Sequence, residues 1–244
     1  AIQEVADVPF SFDTTNLAAI EAGLKRARKQ CIINSTSAEP ERLASVPPLA
    51  AQHHAKIIAL CMGKSGIPVS AEDRVNIALD TLLPRCQEVG IPMQDIYLDP
   101  LILTVSGCQE YVPHAIETVR FLKQAGDPPP KTLVGLSNVS NRVPADDRPL
   151  INRTYLVMLM AAGLDAAIAD PLDEKLWRAI NVIEKRDAST PLNRLLLAIY
   201  DATATGESIA SDAIDFSDQE QVNIWKTLQV LRNEVIYTDS YLKV

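Results

Sequence analysis

Six short apolar runs, separated by longer amphipathic segments, constrain the fold of this chain more than any other feature. The runs are "VPFSFD" (8–13), "CIINST" (31–36), "IIALCM" (57–62), "DIYLDP" (95–100), "TLVGLSN" (132–138) and "AAIAD" (166–170). They are apolar on both faces, as parallel strands covered on both sides must be. Between them lie helices with readable starts and stops: Asn16 to Lys29, Ser70 with Asp73 as a capping-box variant and on to Gly90, Ser106 to Gly126, and Pro149 to Gly163. Strands joined through helices imply right-handed crossovers. Six such units favour a (β/α) barrel over an open doubly wound sheet, and no G-x-G-x-x-G follows any strand.

The chain has 244 residues, 47% of them apolar and 22% charged, which predicts one large globular domain spanning 1–244. A net charge of −8 argues against a nucleic-acid partner, which would select a basic face. The longest apolar stretch, Tyr155 to Leu164, stops at Asp165, well short of the roughly 20 residues that cross a bilayer, so no membrane span is expected. Cys31, Cys61, Cys86 and Cys108 form no C-x-x-C pair and no signal peptide precedes them. Reduced thiols in a cytoplasmic protein, each packed as a small hydrophobe, are the expectation.

Five of the six runs carry Asp or Asn at their end or within two residues of it: Asp13, Asn34, Asp99, Asn138 and Asp170. Singly, each reads equally well as a helix cap or turn starter. Together they predict a polar site, because strand C-termini converge on the mouth of a barrel. That mouth offers carboxylates that accept and carboxamides that donate and accept. Lys64 lies just beyond the third run, and no nucleophile–base–acid set is visible. His53, His54 and His114 fall in segments read as helical, so they are read as packing or surface residues and no metal site is expected. A ligand with a flat edge of N–H donors satisfies such carboxylates, and a 2-amino-4-oxo pyrimidine ring has one.

The segments "FDTTN", "IINSTSAE", "MGKSGIP", "YLDPLIL", "KTLVGLSNVS", "RPLINRTYL" and "GLDAAIADPLD" resemble, in order, the methyltetrahydrofolate:corrinoid iron–sulfur protein methyltransferases. These belong to the pterin-binding TIM-type (β/α)8 barrels, with dihydropteroate synthase and the folate module of cobalamin-dependent methionine synthase. The resemblance runs from about residue 5 to 180 and resumes at "VIYTDSYLK". Dihydropteroate synthases carry a basic residue soon after the Ser of the "GLSN" block, and this chain has Asn138, which favours the methyltransferase branch. The resemblance makes Asp13, Asn34 and Asp99 binders of the pterin edge. It makes Gly135 and Ser137 points of close backbone approach, puts Arg148 at the ring's flank and Ile168 under it, and places Asn138 opposite N5.

The implied reaction moves the N5-methyl of methyltetrahydrofolate to Co(I) of a cobalamin on a corrinoid iron–sulfur protein by SN2 attack, within one-carbon metabolism and the acetyl-CoA pathway. A methyl on a neutral tertiary amine leaves poorly, so N5 must be protonated. A carboxamide cannot supply the proton, but its oxygen stabilises the protonated nitrogen, which makes Asn138 the catalytic residue. A homodimer is also implied.

Three departures from the pattern set further expectations. The chain opens without Met on "AIQEVADVP", which reads as a helix tail, so a fragment lacking the first two strands is expected. Gly63 stands where a polar residue is expected at the third run. Residues 185–218 read as a helical insertion, after which Ser217 and Glu220 open a helix through Trp225 and Leu231. A dihydropteroate synthase-like enzyme and a non-catalytic pterin-binding subunit remain the alternatives.

Overall fold

The computed structural model describes residues 2–209 and 213–243. Its strands are β1 (Ser11–Asp13), β2 (Ile32–Ser37), β3 (Lys56–Leu60), β4 (Ile96–Asp99), β5 (Lys131–Gly135) and β6 (Ala166–Ile168). They form one sheet in chain order, β1 to β6. The pairs from β1 to β5 are parallel. Each expected run therefore overlaps a strand, with β2, β3 and β5 each reaching one residue outside it. The sequential order is the one that βα units of a barrel produce, since each crossover returns the chain beside the strand it left. Among the described residues, no helix is long and apolar enough to cross a membrane.

The chain divides into two compact units, 1–101 with 121–133, and 102–120 with 134–244. The first unit holds α1 (Ile2–Val5), α2 (Leu17–Arg26), α3 (Pro40–Gln52), α4 (Ala71–Asn76) and α5 (Leu83–Glu88) with β1 to β4. Its core is Ile20, Ile33, Val46, Ile57, Ala59, Cys61, Leu82, Cys86, Ile96 and Leu98, with their neighbours. Helix α2 starts where the sequence says, with the Asn16 side chain accepting from the Ala19 N–H at 3.1 Å. Ser70 likewise caps α4, accepting from the Asp73 N–H at 3.1 Å while its hydroxyl donates to the Asp73 carboxylate at 2.6 Å.

The segment from Ser70 to Gly90 is not one regular helix. A π-helical stretch, Ile77–Leu82, separates α4 from α5. Pro84 supplies no N–H to the Asp80 carbonyl, which loosens the ladder at that point. Helix α3 is not among the helices expected from the sequence, and Pro47 and Pro48 lie within it. Pro47 leaves the Leu43 carbonyl without its helical donor, and Arg85 Nε reaches that oxygen at 3.5 Å. His53 and His54 follow α3 rather than sitting inside it, with His54 at φ 49°.

The second unit holds α6 (Val105–Cys108), most of α7 (Tyr111–Leu122), α8 (Arg148–Ala161), α9 (Glu174–Lys185), α10 (Pro191–Thr205) and α11 (Gln219–Leu231). Its core centres on α8, where Ile151, Tyr155, Val157 and Leu159 are fully buried. The expected helix from Ser106 begins later. Thr104 accepts from the Ser106 N–H, but Ser106 and Gly107 leave helical geometry, with Gly107 at φ +92°, and regular helix resumes at Tyr111. Within 185–218, Thr190 caps α10, and residues 210–212 lie outside the described residues. The cap of α11 is Asp218, whose carboxylate accepts from the Glu220 and Gln221 N–H groups, while Ser217 turns back to Asp215. Cys31, Cys61 and Cys86 are buried as expected, and Cys108 is only half-buried.

Candidate functional site

In the first unit, parallel pairing sets Asp13 opposite Asn34 across β1 and β2. Asn34 does not end its strand. Strand β2 runs on to Ser37, and its register against β3 shifts between Asn34 and Thr36, a bulge of the kind that re-aims side chains. Asp13 and Asn34 line one cavity of about 290 Å³, joined by Thr15, Ser37, Glu39, Arg42 and Met62 among others. Arg42 closes one side, donating to the Thr15 carbonyl at 3.0 Å and to the Ser35 carbonyl. No described residue hydrogen-bonds the side chain of Asp13 or Asn34.

Asp99 ends β4, and its register partner on β3 is Leu60, which lines that cavity; Asp99 itself does not. It is 8% exposed and accepts the Leu101 N–H at Oδ1, 2.7 Å away. Leu101 sits in the left-handed region at φ 65°, which costs a residue with a Cβ about 1–2 kcal/mol and persists only where its surroundings hold it. Burial pushes the Asp99 carboxyl up from 3.8 to about 7, against the pull of the Leu101 N–H and then of the Arg74 guanidinium. Cys61, fully buried, has its thiol pushed up by burial and by Asp99. Gly63, where a polar residue was expected, pairs instead with Gly66 in a tight turn.

In the second unit, Asn138 lies beyond its strand. After Gly135 the chain turns into a 3-10 segment, Leu136–Ser140, that leaves Ser137 and Asn138 exposed. The turn is tied from within: the Asn141 N–H donates to the Asn138 carbonyl at 3.1 Å, the Ser140 hydroxyl to the Ser137 carbonyl at 3.2 Å, and Arg148 Nε to Ser140 Oγ at 3.3 Å. Gly135 has an ordinary backbone, φ −84°. Its lack of a Cβ matters for space, since a Cβ there would stand 3.2 Å from Asn138 Nδ2. No described residue hydrogen-bonds the Asn138 carboxamide.

Ser137 and Arg148 line a cavity of about 640 Å³ with Asn152, Asp170, Asp173 and Lys175 among others. Neither Asn138 nor Ile168 is part of that lining; Ile168 stands 47% exposed on β6. Asp170 lies two residues beyond β6 and accepts the Leu172 N–H at 2.9 Å, the turn role that a single Asp allowed. Sequence reasoning missed Arg42, Arg74 and Asn152, whose Oδ1 is buried without a partner. Each occurs on a helix where a polar residue ordinarily faces solvent, so only the tertiary contacts reveal them.

The family described as pterin binding enzyme matches residues 1–170. The chain is 28% identical to methionine synthase of Mycobacterium leprae (strain TN) over 211 residues, 79% of this chain and 18% of that protein. It is 31% identical to methionine synthase of Mycobacterium tuberculosis (strain ATCC 25618 / H37Rv) over 169 residues, 66% of this chain and 14% of the relative. It is 23% identical to the methylcorrinoid:tetrahydrofolate methyltransferase of Eubacterium limosum over 181 residues, 73% of this chain and 65% of that enzyme. The chain thus spans less than a fifth of either methionine synthase. With a family match over the greater part of its length, the chain belongs to the pterin binding enzymes.

Proposed function

We propose that this protein is a methyltransferase that moves the N5-methyl group between methyltetrahydrofolate and the cobalt of a corrinoid carried by a partner protein, an iron–sulfur protein by the resemblance. The observation that carries the reading is that Asp13, Asn34 and Asn138 present side chains that no described residue satisfies, while Asp99 is held in a built turn. Asp13 ends β1, Asn34 lies within β2 and Asn138 lies in the turn after β5, and each leaves its polar side chain available to a ligand with matching donors and acceptors. In this reading Asp13, Asn34 and Asp99 take the amino and ring N–H groups of the pterin edge, Gly135, Ser137, Arg148 and Ile168 contact the ring, and Asn138 serves N5. The family membership and the name of the Eubacterium limosum relative support it.

The chemistry required of the chain's own residues is modest. The methyl carbon's bond to N5 breaks as its bond to cobalt forms, both electrons of the C–N bond remain on nitrogen, and the proton on N5 keeps that nitrogen from becoming an anion. Asn138 Oδ1 accepts from the protonated N5 and so favours the protonation that turns N5 into a neutral leaving group; the proton stays on N5 as the methyl departs. The relative's name runs the transfer from methylcorrinoid to tetrahydrofolate, and microscopic reversibility puts the same residues to work in both directions. Residues 185–218 are proposed as an insertion that contacts the partner or a second copy.

Calorimetric titration with methyltetrahydrofolate, followed by single-turnover transfer to cob(I)alamin, tests the proposal. Binding that Asp99→Ala weakens by about 2–5 kcal/mol, together with methyl transfer, is the expected result. Absence of folate binding in the wild-type protein sinks it. Product formation from para-aminobenzoate and a pterin pyrophosphate replaces it with the dihydropteroate synthase reading.

A further inference from the structure

Among the described residues, Arg74 is the largest fully buried side chain, 0% exposed. Its guanidinium donates to four backbone carbonyls. Nε reaches Pro68 at 2.9 Å, Nη2 reaches Val69 at 3.3 Å, and Nη1 reaches Pro100 at 3.1 Å and Leu101 at 3.3 Å. It therefore ties the chain before α4 to the two residues that follow Asp99. Leu101 is gripped from both ends: its N–H is on Asp99 Oδ1 and its carbonyl is on Arg74. Its left-handed backbone is sustained by that double hold.

We propose that Arg74 is the positioning residue for Asp99, clamping the Pro100 and Leu101 carbonyls so that the turn aims the Asp99 carboxyl, and supplying the buried positive charge against which that carboxyl ionises. The need for both functions follows from burial. A carboxylate out of water requires a compensating charge, and a fully buried guanidinium requires acceptors for its fork of donors. The carbonyls of residues 68, 69, 100 and 101 supply the acceptors, and Asp99 is the negative group whose ionisation Arg74 favours. The other titratable groups around β4 do not take over this role. Cys61 is held as a neutral thiol by burial, Lys56 and Lys131 sit over the ring of Tyr97, two residues back along the strand, and the Asp73 carboxylate on α4 is exposed and accepts from the Ser70 hydroxyl.

Only the pterin contact of Asp99 rests on the methyltransferase reading; its pairing with Arg74 is a property of the ligand-free protein and is tested there. The experiment is an NMR pH titration of the Asp99 carboxyl carbon, the Leu101 N–H and the Arg74 Nε–H in wild-type, Arg74→Lys and Arg74→Met proteins, with calorimetry of methyltetrahydrofolate alongside. In the wild type the three resonances are expected to move with one midpoint, and folate affinity to fall about tenfold per pH unit below it. Arg74→Met should raise the Asp99 midpoint by at least about one pH unit and weaken folate binding at neutral pH by at least about fivefold, and Arg74→Lys, which keeps the charge, should return most of the midpoint. An unchanged midpoint in a folded Arg74→Met protein overturns the proposal, as do equal shifts in both variants. An Arg74 Nε–H that ignores the Asp99 titration in the wild type overturns it without any substitution. Common titration of the three groups in a protein that binds no folate retains the positioning role and refutes the folate reading instead.

Discussion

Replacing Asp99 by Asn should make the protein more stable and less able to bind folate, and the stability gain should depend on pH in a calculable way. The folded carboxyl keeps its proton up to about pH 7, whereas the unfolded one releases it near its ordinary value of 3.8. Between those limits the folded state binds more protons than the unfolded state, so the group's contribution to stability is fully present below the window and is lost as pH rises through it. The whole gap corresponds to about 4 kcal/mol at 1.36 kcal/mol per pH unit. Asn retains an oxygen for the Leu101 N–H, which Asp99 now accepts at 2.7 Å, and has no charge to desolvate. The assay is urea unfolding of both proteins at several values from about pH 5 to about pH 8. Over that range the difference in unfolding free energy should grow in favour of the variant by about 2.7 kcal/mol, most of it before pH 7. Other titrating groups cancel in the comparison. Curves that stay parallel within about 0.5 kcal/mol refute the argument that Asp99 is a carboxyl strained by burial. Under the proposed function the same variant cannot pair its side chain ionically with the pterin N–H groups, so the stability gained at neutral pH should come with a loss of folate affinity.

Three further outcomes follow from the second unit. Asn138→Ala should weaken methyltetrahydrofolate binding moderately but slow saturated single-turnover transfer to cob(I)alamin by about 10²–10³-fold, with Asn138→Asp intermediate; an unaltered rate makes Asn138 a turn residue. Gly135→Ala places a methyl 3.2 Å from the current position of Asn138 Nδ2 and should reproduce part of that rate loss while leaving the thermal midpoint nearly unchanged, because the backbone there suits any residue. Gln109→Ala removes the amide that donates to the Val230 and Val235 carbonyls at 2.8 and 2.7 Å and accepts the Tyr237 N–H at 2.8 Å. It should destabilise the unit by about 1–3 kcal/mol and, in hydrogen exchange, expose the Tyr237 N–H before the α8 core; protection equal to wild type at Tyr237 counts against the clasp.

Much of this protein was settled by interactions between residues near one another in the chain. The central runs became strands because apolar character on both faces suits a covered parallel sheet, as buried β3 and β5 show, while the outer strands β1 and β6 are largely exposed; Asn16, Ser70 and Thr190 mark helix starts because a short polar side chain reaches an N–H three residues ahead. The polar ends of the runs were legible for the same reason, and Asp99 does end β4. What the sequence could not decide depends on partners far away. Asn34 lies within β2 rather than at its end because the pairing with β3 shifts there, and Asn138 sits in a 3-10 turn that Ser140 and Arg148 tie together. Helix α3 survives two prolines while Arg85, 42 residues on, reaches the Leu43 carbonyl. Arg74 reads in the sequence as an ordinary solvent-facing helix residue, yet the fold buries it against carbonyls 26 and 27 residues downstream. Periodicity and capping are short-range, so sequence alone determines them. Whether a carboxyl at a strand end holds its proton near neutrality depends on how completely other segments exclude water from it and where they place the nearest charge, and only the tertiary structure decides that.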